Sequence, residues 1–181
     1  MASVGVFCGS ATVVDGRFLD LAGEVGGSLA KRGHTVVSGG GRVGMMGTLT
    51  SAARAAGGRT VGVIPQVLYG LEVGDTDSDE LIVTADMAER KNLMVAKSDA
   101  FLALPGGIGT MDELFEVWTT AALGLHAKPL VLLSPDDFYA ALVSYVETLV
   151  AHRFLSAEAS ELLHVVHNVP EALDHIEAAL A

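Results

Sequence analysis

The sequence predicts an α/β protein of the Rossmann-like type, in which a doubly wound parallel sheet carries helices on both faces. Short apolar runs alternate with longer helix-type runs along the chain. The apolar runs are continuous, as expected of strands that are covered by helices on both sides. The 181 residues suit a single domain. Half of them are hydrophobic, which provides for a sizeable core and leaves apolar surface for a partner subunit.

The predicted elements follow one another in a regular order. Six strands are expected at Val4–Cys8, Thr35–Ser38, Thr60–Ile64, Leu81–Thr84, Ala100–Leu104 and Leu130–Leu133. Helices are expected at about Asp15–Arg32, Gly44–Ala56, Asp86–Lys97, Thr110–Leu123 and Asp136–His152. A last helix should follow Pro170, because proline is favoured in the first turn of a helix. Such βα units predict right-handed crossovers and a ligand site beyond the carboxyl ends of the strands.

Composition narrows the function classes. The net charge of −11 provides no broad basic surface, so nucleic-acid binding is not expected. The single cysteine, Cys8, excludes an internal disulfide, and its apolar run predicts a buried small side chain. No apolar run approaches the roughly 18 residues that span a bilayer, so we expect a cytoplasmic protein without membrane contact. The six histidines show no metal-ligand spacing, and neither a metal nor another cofactor is expected.

A first glycine-rich segment follows the second predicted strand and opens a helix. Gly39, Gly41 and Gly44 fit the pattern G-x-G-x-x-G, which suits either a tight turn or backbone N–H groups that approach an anion. A dinucleotide site is disfavoured, because the next strand ends Ile64-Pro65-Gln66 without a carboxylate for a ribose. A Walker-type phosphate loop is also disfavoured, because no Gly-Lys-Ser/Thr follows these glycines. The segment therefore favours a single phosphate or a sugar.

A second glycine-rich segment, from Gly106 to Thr110, links the fifth strand to its helix. Thr110 is a candidate N-cap, and Glu113 three residues later fits a capping box as well as a functional carboxylate. The backbone N–H groups of the Gly106–Thr110 segment suit a phosphate monoester. Arg90-Lys91 form either a solvated helix face or an anion contact through the planar guanidinium. Two further features stay open at this stage, namely whether Met45-Met46 are core or pocket, and whether the connection Gln66–Asp79 is a functional or a merely mobile loop.

Taken together, these residues resemble the Lonely Guy (LOG) family of cytokinin-activating nucleoside-monophosphate phosphoribohydrolases, many of which were once labelled lysine decarboxylases. The resemblance runs along nearly the whole chain. Its most specific part combines Arg90-Lys91 with Pro105-Gly106-Gly107-Ile108-Gly109-Thr110-Met111-Asp112-Glu113, and it also includes Val6–Ser10, Gly39–Gly47, Gly62–Pro65, Asp86-Met87, Ser98–Phe101 and Lys128-Pro129.

The resemblance implies a function and a set of site residues. Arg90 and Glu113 would be the catalytic pair, and the Gly106–Thr110 loop would hold a 5′-phosphate. The substrate-binding residues implied are Gly41, Met45, Met46, Glu72, Lys91, Gly106, Gly107, Ile108, Gly109, Thr110, Asp112 and Thr119. The substrate would be an AMP-like nucleoside monophosphate, and the assembly a homodimer. Asp112 stands where glutamate is more usual, and Ile108 where tyrosine often stands, which leaves the base preference open.

The implied reaction is hydrolysis of the bond between base and ribose. Positive charge develops on the ribose as that bond breaks, and a nearby carboxylate stabilises it and orients or deprotonates water. Two alternatives remain at the level of sequence. A nucleotide-binding or carrier protein without chemistry would need the glycine loops but not Arg90 and Glu113. A lysine decarboxylase would need pyridoxal phosphate or a comparable electron sink, and no lysine stands in a recognisable Schiff-base context.

Overall fold

A computed structural model describes residues 1–71 and 74–181, and it confirms the α/β architecture predicted from the sequence. Seven parallel strands form one sheet in the order β4-β3-β2-β1-β5-β6-β7. The strands are β1 Ser3–Phe7, β2 Thr35–Ser38, β3 Thr60–Pro65, β4 Glu80–Thr84, β5 Ala100–Ala103, β6 Leu130–Leu133 and β7 Leu163–Val166. The order of the strands reverses between β1 and β5, which is where ligands bind in open α/β sheets.

Helices cover both faces of this sheet. They are α1 Gly16–Lys31, α2 Gly44–Ala55, α3 Gln66–Tyr69, α4 Met87–Lys97, α5 Ile108–Ala122, α6 Ala140–Ala151, α7 Ala157–Glu161 and α8 Val169–Leu180, with a short 3-10 turn at Pro135–Asp137. Helices α1, α2 and α8 pack on one face, and α4, α5 and α6 pack on the other. None of the helices in the described part of the chain is long and apolar enough to cross a bilayer.

The core explains why the strands are uniformly apolar. Every residue of β3, β5 and β6 is buried, because both faces of these strands lie under helices. Phe101 and Leu102 on β5 point to opposite faces of the sheet and enter two separate hydrophobic clusters. Two packed layers of helices therefore hold the sheet, and the carboxyl ends of its strands meet at one edge.

The structure corrects two expectations from the sequence and adds detail to a third region. β7 was not expected, and it adds a seventh, half-exposed edge strand. The sixth helix begins at Ala140 rather than Asp136, because Asp136 and Asp137 both adopt positive φ angles, of 49° and 56°, that end any regular helix. The connection after β3 begins with the short helix α3, so part of it is regular structure.

Candidate active site

Helix α4 carries Arg90 into the protein rather than toward solvent. Asp86 caps the helix by accepting from the backbone N–H of Glu89 at 2.9 Å, and the Glu89 carboxylate accepts from the backbone N–H of Ala85 at 2.7 Å. With this start fixed, Arg90 and Met94 lie one turn apart on the buried side. Arg90 Nε donates to the carbonyl oxygen of Val63, at the end of β3, at 3.1 Å. The predicted alternative, a solvated basic face, is therefore wrong for Arg90.

The partner of Arg90 is Glu113, on the buried side of α5. Arg90 Nη1 lies 2.8 Å from Glu113 Oε1, and the two side chains are only 7% and 8% exposed. Burial raises the pKa of Glu113 above its ordinary value, while the charge and the hydrogen bond of Arg90 oppose the rise. An ion pair so deeply buried costs desolvation energy that its attraction barely repays, so it is poorly explained as a device for stability alone.

This ion pair lies on the wall of a cavity of about 720 Å³ at the carboxyl edge of the sheet. The ends of β1, β2, β3 and β5 all contribute to the lining, as the strand reversal between β1 and β5 requires. Arg90 is the only basic side chain among the described lining residues, and Asp15 and Glu113 are the only acidic ones. The volume is within the range of small-molecule sites.

The second glycine-rich segment closes one side of the cavity with the first turn of α5. The helix begins at Ile108 with Gly107 as its N-cap, so the predicted N-cap, Thr110, already lies inside the helix. The capping-box interpretation of Glu113 is wrong for the same reason. A Cβ on Gly106 would collide with the Thr110 side chain, so a glycine is required there. The unpaired N–H groups of this first turn and the positive end of the helix dipole suit an anion.

The structure brings together most of the residues predicted for the site. Beside Arg90 and Glu113, the cavity lining includes Gly41, Met45, Met46, Gly106, Gly107, Ile108, Gly109 and Thr110. Met45 and Met46 are 2% and 7% exposed, so they serve both the core and the cavity wall. Glu72 lies outside the residues that the structure describes.

Three predicted site residues, Lys91, Asp112 and Thr119, do not line this cavity. Lys91 Nζ lies 3.0 Å from Asp112 Oδ2 and also pairs with Glu116, and hydrogen bonds to these two carboxylates raise the pKa of the lysine. Asp112 and Thr119 lie on the outer face of α5. Within one protomer these three residues therefore belong to the surface beside the site.

Several lining residues were not predicted. The segment after β1 contributes Ser10 and the buried Cys8, whose thiol pKa is raised by burial, as expected of a packed rather than a reactive cysteine. Phe18 on α1 and Phe138 lie 5.4 Å apart, measured between ring centroids, in an edge-to-face arrangement. Both line the cavity, yet they are far apart in sequence, so no local sequence pattern predicts that they meet there. Only the resemblance through Gly9-Ser10 provided a signal for this side of the cavity.

No group of three His, Cys, Asp or Glu side chains suited to a metal ion occurs in residues 1–71 and 74–181. His164 and His167 are both exposed, and the ring of His164 stacks on that of His175.

The chain is similar to known proteins along most of its length. A family model described as "Possible lysine decarboxylase" matches residues 46–176. The cytokinin riboside 5′-monophosphate phosphoribohydrolase of Mycobacterium tuberculosis is 49% identical over 94% of this chain and 91% of its own length. The protein of the same name from Rhodococcoides fascians is 41% identical over 97% of this chain and 89% of its own length.

Among solved structures, the molybdenum cofactor carrier protein of Chlamydomonas reinhardtii shares the fold. Its TM-score is 0.75 and its sequence identity is 25%, over 99% of this chain and 98% of that protein. The family model covers more than half of the chain, and the enzymes above match it nearly from end to end. The chain therefore belongs to the Lonely Guy family, the group of proteins named cytokinin riboside 5′-monophosphate phosphoribohydrolases and matched by the "Possible lysine decarboxylase" model.

Proposed function

We propose that the protein hydrolyses the N-glycosidic bond of a nucleoside 5′-monophosphate, AMP or an N6-substituted AMP, to the free base and ribose 5-phosphate. The single observation that carries this proposal is the buried pair of Arg90 and Glu113 on the wall of a nucleotide-sized cavity. The names of the 41–49% identical relatives support the reaction. We assign the activity to one nucleotide-binding domain that spans residues 1–181 and works in the cytoplasm.

The phosphate is assigned to the first turn of α5. The residues from Ile108 to Thr110 line the cavity there, their N–H groups have no partner within the helix, and the helix dipole adds a partial positive charge. The described lining offers one basic side chain, Arg90, and Glu113 already pairs with it. Further phosphates would therefore meet no additional cation, so we expect a monophosphate to be preferred over a diphosphate or triphosphate.

Glu113 is assigned as the catalytic carboxylate. Arg90 occupies its Oε1, which leaves Oε2 for the ribose and the attacking water. As the bond from C1′ to the base nitrogen breaks, the carboxylate stabilises the positive charge that develops on the ribose. Water then adds to C1′ and one of its protons passes to the carboxylate of Glu113, while the departing base nitrogen takes up one proton from solvent water. Glu113 returns its proton to solvent, so one water molecule is consumed for each base released. Binding of the remote phosphate places C1′ for this reaction.

The cavity also offers apolar side chains that an apolar substituent on the base would contact. Leu68 and Leu71 line it near α3, and Val14, Phe18 and Phe138 line it near α1. An apolar substituent on N6 would gain about 25 cal/mol for each Å² that it buries. We therefore include N6-alkylated AMP in the substrate class.

A homodimer completes the proposal. The outward side of α5 exposes apolar side chains, with Ile108 92%, Phe115 41% and Leu123, the residue that ends the helix, 70% exposed. Asp112 and Thr119 are exposed on the same helix. We propose that two protomers pack through it, which buries the apolar side chains and brings Lys91, Asp112 and Thr119 to a cavity at the interface.

The decarboxylase alternative lacks its key residue. A pyridoxal phosphate enzyme binds its cofactor through a lysine, and no lysine lines the cavity among the residues described. Lys91, which follows the cavity residue Arg90 in sequence, pairs with two carboxylates that raise its pKa and so keep it protonated. Incubation with lysine should leave the lysine unchanged.

The decisive test measures free base and ribose 5-phosphate after incubation with AMP, and compares Glu113→Gln with the wild type. The variant should bind AMP with an affinity close to that of the wild type and lose at least about a hundredfold in kcat. Glu147→Gln makes the same chemical change at an exposed position of α6 and should keep full activity. Binding of AMP without any turnover by the wild type would favour a carrier protein instead.

A further inference from the structure

Asp75 is buried although it lies in the connection between α3 and β4. It is 3% exposed, while its neighbours Thr76 and Asp77 are exposed. Its carboxylate accepts hydrogen bonds from Thr50 Oγ1 at 2.7 Å and from Arg54 Nη1 and Nη2 at 2.8 and 3.3 Å. A buried carboxylate is costly unless such partners surround it, so this residue is held at a defined position against α2.

The backbone of the same segment is hydrogen-bonded to the first glycine-rich turn. The N–H of Asp75 donates to the carbonyl oxygen of Gly40 at 2.8 Å, and Gly74 forms an antiparallel bridge with Gly41. Side-chain bonds from Asp75 to α2 thereby fix a backbone strip that pairs with the Gly39–Gly41 turn. The hydrogen bonds of the Asp75 carboxylate involve a charged group, and such bonds are stronger than those between neutral groups.

The glycine turn in its turn packs on Arg90. A Cβ on Gly39 would collide with Arg90 Nη2, so backbone and guanidinium are in direct contact there. On another side, Arg90 Nε donates to the carbonyl oxygen of Val63. The guanidinium is thus confined between β3, the glycine turn and Glu113, and a shift of the turn gives it room to move.

We propose that Asp75 is a positioning residue for the nucleotide reaction. Held by Thr50 and Arg54, it keeps the Gly39–Gly41 turn against Arg90 and so fixes the carboxylate of Glu113 toward the ribose. The inference rests on the proposed function for its kinetic consequence. Its structural consequence, the placement of the Arg90 side chain, does not depend on which reaction is catalysed.

The test replaces the parts of the network one at a time. Asp75→Asn places an amide N–H donor against the donors of Arg54, and Thr50→Val deletes one hydroxyl without changing the charge. Both variants should lower kcat for AMP about tenfold while KM changes less than about threefold, because the phosphate site on α5 is untouched. Arg54→Lys retains one charged donor and should keep most of the wild-type kcat.

A structural readout accompanies the kinetics. The Arg90 Nε–Hε resonance, assigned with Arg90→Lys, should shift in Asp75→Asn and in Thr50→Val. Ile176→Val in α8 serves as the control, because it removes a buried methylene from the core remote from the cavity. It should lower stability while kcat and the Arg90 resonance stay at their wild-type values.

The outcomes separate the two proposals. If Asp75→Asn folds with wild-type kcat and an unshifted Arg90 resonance, Asp75 has no positioning role. A fall in kcat no greater than that of Ile176→Val at equal loss of stability would also overturn it. Should Asp75→Asn fail to fold, Thr50→Val decides by the same two readouts. If the wild type itself releases no base, the proposed function fails, and the Arg90 resonance still decides the role of Asp75.

Discussion

Replacing Arg90 with methionine should raise the pKa of Glu113 further, since it removes the charge that opposes the effect of burial. The two charged groups lie 2.8 Å apart. At an effective dielectric constant of about 20, unit charges at this separation attract by about 6 kcal/mol. Water that enters the vacated space replaces part of this interaction. We therefore expect the pKa of Glu113 to rise in Arg90→Met, by less than the full pair attraction would give.

A titration of the Glu113 side-chain carboxyl carbon by NMR measures this shift, with Glu113→Gln to assign the signal. Arg32→Met removes an arginine that pairs with α8, remote from the cavity, and should leave the Glu113 titration unchanged. In the wild type, the acidic limb of kcat/KM should already lie above the ordinary glutamate pKa, because burial raises it. An equal Glu113 pKa in wild type and Arg90→Met would refute the electrostatic role assigned to Arg90.

The same shift has a consequence for stability. An acid whose pKa is raised in the folded protein favours folding while it is protonated. That contribution is complete below the pKa of the unfolded chain and is lost as pH rises through the folded pKa. Because the pKa difference is larger in Arg90→Met, the free energy of unfolding of this variant should fall more steeply above pH 4.5 than that of the wild type. Denaturant unfolding at a series of pH values measures it.

Two further predictions concern packing. Gly39→Ala drives a methyl group into Arg90 Nη2, so it should destabilise the fold by about 1–3 kcal/mol and lower kcat by at least about tenfold. Gly27→Ala, on α1 with open space around it, is the control and should not destabilise the protein in a urea titration. Equal stability of the two variants would contradict the contact between Gly39 and Arg90. Leu123→Glu buries a charge in the proposed dimer interface and should yield monomers in sedimentation equilibrium. Leu180→Glu, at the end of α8, should leave the assembly unchanged, and a dimer that survives Leu123→Glu would place the interface elsewhere.

The regular part of the fold could be predicted from the sequence because its signals are local. Continuous apolar runs such as Leu130–Leu133 become strands buried on both faces, and their alternation with helices requires a parallel sheet. Strand β7 was not predicted because it has only four residues, His164 interrupts its apolar run, and it lies at a half-exposed edge of the sheet. The helix boundary at Asp136 was misplaced because positive φ in two successive aspartates depends on surrounding structure rather than on propensity.

The site could be predicted only in part from local pattern. The glycine segments announce turns and close approaches, yet nothing local to Arg90 shows that it points inward, since its contacts with Val63 and Glu113 arise from tertiary packing. The resemblance supplied that pairing. It did not supply Phe138, which reaches the cavity through the unusual turn after β6.

The central claim is that the first turn of α5 holds a phosphate so that Glu113 faces the anomeric carbon. The most direct measurement is a crystal structure of the Glu113→Gln variant with AMP bound. The account predicts the phosphate against the N–H groups of Ile108 to Thr110, with the substituted side chain within contact distance of C1′. A phosphate bound away from this turn, or a side chain at position 113 directed away from the ribose, would contradict it.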